Sequence, residues 1–156
     1  MASEFDFISA GDKPALVLIN NPEWVEYTKA VLTELGYKTH AFDSHEEFLQ
    51  RFFEVQYQVV LIDESFGGSL ENPTLRALQA MPMSQRRHSV ILLLGGSFET
   101  LNAMQAFQQS VHVVINYSEI SLLAQLVQKA VNDNDVFLKA FRETAERVAR
   151  ARTQRI

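Results

Sequence analysis

A chain of 156 residues with 47% hydrophobic and 21% charged side chains is sized and composed for one globular domain around one core. The lack of cysteine excludes a disulfide framework and thiolate metal sites, and the apolar runs, residues 59–62 and 90–94 among them, are strand-sized and too short to span a membrane. The net charge of −5 is unevenly spread: residues 137–156 set six basic side chains against two carboxylates, a balance of +4 that leaves −9 on the remainder, so the acidic body argues against nucleic-acid binding there.

Residues 1–14 contain Gly11 and Pro14, show no sustained periodicity and read as a flexible lead; they lack a basic start followed by an apolar run, so no secretory leader is expected. A first buried strand is predicted over 15–19. Asn21 and Pro22 then suit the cap and first turn of a helix over 22–35, stopped by Gly36. A less apolar strand follows over 37–42. Ser44 and Glu47 form a capping-box pattern opening a helix through about 55, with Phe48, Leu49, Phe52 and Phe53 as its buried side. Residues 59–62 are continuously aliphatic, which predicts a central strand buried on both faces and ending at Asp63-Glu64. Gly67-Gly68 marks a loop, a helix follows over 72–81 until Pro82, and a polar segment leads to the fourth strand at 89–94. Gly95-Gly96 turns the chain, Ser97 is the candidate cap of a helix to about 109, 111–115 is the fifth strand, and Ser118 or Ser121 opens a helix to 131. Asn-Asp-Asn-Asp at 132–135 is read as a break before a further amphipathic helix over 136–152, with Leu138, Phe141, Ala145 and Val148 at 3–4 spacing. Strands alternating with helices across short turns specify an α/β, doubly wound (βα)5 sandwich with a five-stranded parallel sheet, plus an extra C-terminal helix. The expected organisation is a lead (1–14), a domain (15–131) and a helical extension (132–156).

Several local patterns resemble the receiver domain of bacterial two-component response regulators, within the flavodoxin-like superfamily. Leu-Val-Leu-Ile-Asn-Asn-Pro at 16–22, the spacing from Pro22 to Gly36, and Leu35-Gly36-Tyr37 resemble its first strand, helix and turn. Val-Val-Leu-Ile-Asp at 59–63 resembles its third strand with the phosphorylated aspartate. The resemblance implies strand order 2-1-3-4-5, a phosphoacceptor role for Asp63, Mg²⁺ as helper, and a histidine kinase as donor. Phosphoryl transfer to a carboxylate places charge on three equatorial oxygens, which a divalent cation and a cationic side chain must offset. The family therefore has an acidic pair after the first strand, a hydroxyl after the fourth and a lysine after the fifth. In this chain those positions hold Ile19 and Asn20 (Asn20 and Asn21 on a one-residue slip), Leu94 and Gly95, and Asn116-Tyr117. Losing one such contact typically costs about 2–4 kcal/mol, on the order of 10² to 10³ in rate. The expectation is thus a degenerate receiver with a vestigial Asp63, no turnover of its own and no cofactor.

Two alternatives stand beside it. One is a true phosphoacceptor with Mg²⁺ on Asp63, Glu64 and Asn20. The other is an anion or small-ligand sensor built on Gly67-Gly68 and Gly95-Gly96 at adjacent strand ends. The histidines His40, His45, His88 and His112 lack metal-ligand spacing. The resemblance implies that the face made by the fourth and fifth units, with Phe98, Leu101, Met104, Phe107, Val113 and Leu123, meets a protein partner or a second copy in a homodimer. Phe107, by its helical spacing, also reads as core. A cytoplasmic location is expected. The basic C-terminal helix reads as a solvated face, a linker or a dimerisation arm.

Overall fold

The computed structural model describes residues 11–68 and 71–154. Five parallel strands lie in the order β2-β1-β3-β4-β5: β1 (Pro14–Leu18), β2 (Lys38–Ala41), β3 (Val59–Asp63), β4 (Val90–Gly95) and β5 (Val113–Asn116). The helices are α1 (Pro22–Glu34), α2 (His45–Arg51), α3 (Pro73–Gln79), the single turn α4 (Met83–Arg86), α5 (Ala103–Gln109) and α6 (Leu123–Thr153). The doubly wound architecture and the strand order are those expected. Residues 1–10, most of the anticipated lead, lie outside the described residues.

The sheet separates two apolar layers because successive side chains point to opposite faces. The register Leu16↔Val60↔Ile91 and Leu18↔Ile62↔Leu93 sends these residues into one layer with Phe48, Leu75 and Leu78. Ala15, Val17, Val59, Leu61, Leu92 and Leu94 go to the other, where they meet Leu32 of α1 and Leu126 and Val127 of α6. Every residue of β1, β3 and β4 is buried, which is why these segments read as unbroken apolar runs. Local chemistry fixes the helix ends. The Asn21 side chain accepts from the Glu23 amide at 2.9 Å and Ser44 Oγ from the Glu47 amide at 3.1 Å, while Gly36, at φ +95°, provides the left-handed turn that ends α1.

Four expectations are corrected. Leu49 and Phe53 are exposed, because α2 ends at Arg51 and a tighter 3₁₀ turn, Phe52–Glu54, rotates Phe53 outward while Phe52 stays in the core. Phe107 is 79% exposed, on the outer side of α5. The cap of α5 is Asn102, whose side chain accepts from the Gln105 amide at 3.0 Å; residues 97–101 form a turn that takes Leu101 to φ +66°. Residues 132–135 do not interrupt the last helix. The Lys129–Asp133 ion pair at 2.8 Å bridges one turn, and Asn134 Nδ2 donates to the Arg87 carbonyl at 3.2 Å, so α6 runs unbroken for 31 residues. No helix among the described residues is long and apolar enough to cross a membrane.

Burial ranks the stability of these positions. Leu92→Ala, in the sheet centre, is expected to cost about 2–5 kcal/mol in urea unfolding, and Leu49→Ala, on the exposed side of α2, less than about 0.5 kcal/mol.

Candidate functional site

The carboxyl ends of β1, β3, β4 and β5 converge on Asp63. The register pairs Asp63 with Leu94 and Gly95 with Asn116, so the positions singled out in the sequence do come together at one edge. Burial on both faces of β3 takes Asp63 with it, leaving the residue 6% exposed. A carboxylate so enclosed needs donors. Its Oδ1 accepts from the Ser65 amide at 2.9 Å, from Ser65 Oγ at 2.9 Å and from the Tyr117 hydroxyl at 2.5 Å. Tyr117 follows the last residue of β5 and reaches back across the sheet edge, its ring 4.9 Å from that of Trp24 on α1. Burial first, and then the bond to Asp63, raises the Tyr117 pKa well above the ordinary tyrosine value of 10.0.

The other residues hold loops. Asn20 accepts from the Gly67 amide at 3.2 Å and donates to the Ser65 carbonyl at 3.1 Å, which fastens the loop after β3 to the end of β1. Gly67 has φ +83°, and a Cβ there would lie 1.9 Å from His45 Nε2, so glycine is required. Glu64 folds away from Asp63 and accepts from the Gly96 amide at 3.2 Å; a Cβ on Gly95 would come within 2.5 Å of its carboxyl carbon. Asn116 donates to the carbonyls of Gly96 at 3.2 Å and Phe98 at 2.8 Å, and its backbone amide donates to Thr100 Oγ1 at 2.9 Å. Asn72 donates to the carbonyls of Asp63 and Glu64, each at 3.2 Å, while capping α3. Ile19 is buried in the core, and Asn21 serves α1. Neither Asn20 nor Asn116, each a conceivable neighbour of Asp63, bonds to it; Ser65 and Tyr117 do. Both lay in plain view in the sequence, but the reach of Tyr117 across the edge depends on the β4–β5 register.

The arrangement limits the chemistry. The described partners of Asp63 Oδ1 are two hydroxyls and an amide, which bring no positive charge. Mg²⁺ needs hard oxygen donors converging on one point, whereas Asp63, Glu64 and Asn20 are each turned to separate protein donors, and among the described residues no cluster of three acidic or histidine side chains is formed. This donor set does not fit the ion. The amides of Gly67, Gly68 and Gly96 already donate to Asn20, the Ser65 carbonyl and Glu64, so an anion would have to displace protein acceptors. Of the anticipated contact face, Phe98, Val113 and Leu123 are buried in the core, a correction that leaves Leu101, Met104 and Phe107 exposed.

Removing the Tyr117 hydroxyl leaves a buried carboxylate short of a donor. Tyr117→Phe should destabilise the fold by about 1–3 kcal/mol and change the fluorescence of Trp24, the single tryptophan. Because the folded-state pKa of Tyr117 is raised, its contribution to stability is complete below the unfolded value of 10.0 and fades as pH rises above it. The alkaline loss of unfolding free energy should therefore be smaller in Tyr117→Phe than in the wild type.

No protein-family model matches the chain, and no curated protein does. Solved structures do. A signal receiver domain of a histidine kinase from Syntrophus aciditrophicus is 17% identical at a TM-score of 0.62, covering 78% of this chain and 91% of its own. A putative response regulator from Chloroflexus aurantiacus is 17% identical at 0.63, covering 78% and 98%. NtrX from Brucella abortus is 15% identical at 0.63 over 86% of this chain, which spans only 29% of that protein. The chain has the fold of a response-regulator receiver domain.

Proposed function

We propose that the chain is a receiver-like signalling domain that acts by binding a protein partner, without accepting phosphate. The reading is carried by the 2.5 Å bond from the Tyr117 hydroxyl to Asp63 Oδ1. Three donors on Oδ1 fix the carboxylate and draw its charge toward the protein, which lowers its strength as a nucleophile toward phosphorus. The positions that would offset the charge of the transferred group hold Asn20, Gly95 and Asn116, and each missing electrostatic contact is worth roughly 10² to 10³ in rate. We read the domain as having no turnover of its own, because the amide side chains around Asp63 are committed to holding loops. Output then depends on surface. The solvent-facing Leu101, Met104 and Phe107 give the partner an apolar patch on the β4–β5 side. We place the protein in the cytoplasm, where receiver-type signalling partners reside.

Incubation with acetyl phosphate and Mg²⁺, read by intact-protein mass spectrometry, is expected to leave the mass unchanged. A phosphorylated species that forms in the wild type and is missing in Asp63→Asn would sink the proposal.

A further inference from the structure

The second half of α6 carries a surface that the site around Asp63 does not use. Residues 139–154 are all exposed, and beyond Phe141 and Arg142, which still border the body, residues 143–153 extend roughly 17 Å of helix clear of it at 1.5 Å per residue. Helices of this length are marginal in water when they pack against nothing. The arm has two faces. Phe137, Phe141, Thr144 and Val148 recur at i, i+4, i+7 and i+11 on one side, and Lys139, Arg142, Glu143, Glu146 and Arg150 occupy the opposite side. The apolar side chains are largely solvent-facing. The base of the arm is nevertheless fixed in direction: Leu138 is buried against the body, Asn134 holds the Arg87 carbonyl, and the Arg87 guanidinium lies 4.4 Å from the centre of the Phe141 ring. Beside that base an open cavity of about 700 Å³ is lined in part by Met83, Phe107, Asp133 and Phe137.

We infer that the arm binds a second copy of this chain, the two α6 helices lying antiparallel about a twofold axis between Thr144 and Ala145. Two observations select this occupant and this direction. First, the stripe is complementary to itself when reversed. That axis sets Val148 opposite Phe141 of the partner subunit and Arg152 opposite Phe137 of the partner subunit, pairing apolar with apolar and a guanidinium with an aromatic face. Second, the charges are separated along the chain. Residues 147–156 hold four arginines and no acidic side chain, and reversal sets the two arginine-rich ends at opposite ends of the pair, each near the level of the other copy's Asp133. A parallel pair would bring Arg147, Arg150 and Arg152 together with their own copies, and like charges repel. The pairing requires nothing of Asp63 and stands apart from the question of phosphorylation.

The full chain, studied without any phosphodonor, provides the test. Sedimentation equilibrium is expected to show a monomer–dimer equilibrium. Val148→Glu, at an exposed position and with folding checked by circular dichroism, should raise the dissociation constant at least tenfold. The chain has no cysteine, so single introduced cysteines report the register. Thr144→Cys, beside the axis, should oxidise to a covalent dimer. Ala151→Cys should not, because its two copies lie roughly 20 Å apart along an antiparallel pair. A wild-type chain that remains monomeric, a dimer that Val148→Glu leaves intact, or ready self-cross-linking of Ala151→Cys would each overturn the inference.

Discussion

Burying a carboxylate at the end of a central strand is the constraint on which the site depends. β3 is covered on both faces, and its last residue, Asp63, is carried into an environment where an unpaired charge would be costly. A cation would be one solution. This chain uses neutral donors instead: the Ser65 amide and hydroxyl from the adjoining loop, and the Tyr117 hydroxyl from beyond β5. The same donors tie the end of β3 to the loop that follows it and to the residue beyond β5.

Around that centre the amide-bearing residues act as ties. Asn20 joins the end of β1 to the loop after β3, Asn72 joins the end of β3 to α3, and Asn116 joins the end of β5 to the turn after β4. Each has both a donor and an acceptor on one side chain, which suits a loop that presents alternating carbonyl and amide groups. A carboxylate at position 20 could accept from Gly67 but could not donate to the Ser65 carbonyl. Amides at positions 20, 72 and 116 thus stiffen the sheet edge.

Much of the fold was legible in the sequence because its strongest signals are local. The aliphatic runs of β1, β3 and β4 reflect strands covered on both faces, and Asn21, Ser44 and Gly36 mark helix ends through contacts within a few residues. The positions of Asp63, Asn20, Gly95 and Asn116 at one edge followed from the alternation of strands and helices. What escaped depends on distant geometry. The Tyr117–Asp63 bond spans 54 residues of sequence and needs the strand order to exist. The polar stretch at 132–135 has the composition of a break, yet Asn134 finds the Arg87 carbonyl and Asp133 finds Lys129, and tertiary partners outweigh weak helix propensity. Phe107 and Phe53 have the spacing of core residues, but spacing fixes a face and not what covers it.

The continuity of α6 also joins two parts of the molecule that composition suggested were separate. Tyr117 opens the 3₁₀ turn Tyr117–Leu122, and α6 begins at the next residue. The hydroxyl on Asp63 and the basic arm therefore belong to one stretch of chain, kinked at Glu119, and Leu123, Leu126 and Val127 lock the first turns of α6 into the core. The first half of the helix has the body as its apolar partner. Beyond Leu138 the same amphipathic pattern continues without one, and a helix that keeps an apolar stripe past the edge of its own domain is shaped for a surface outside it.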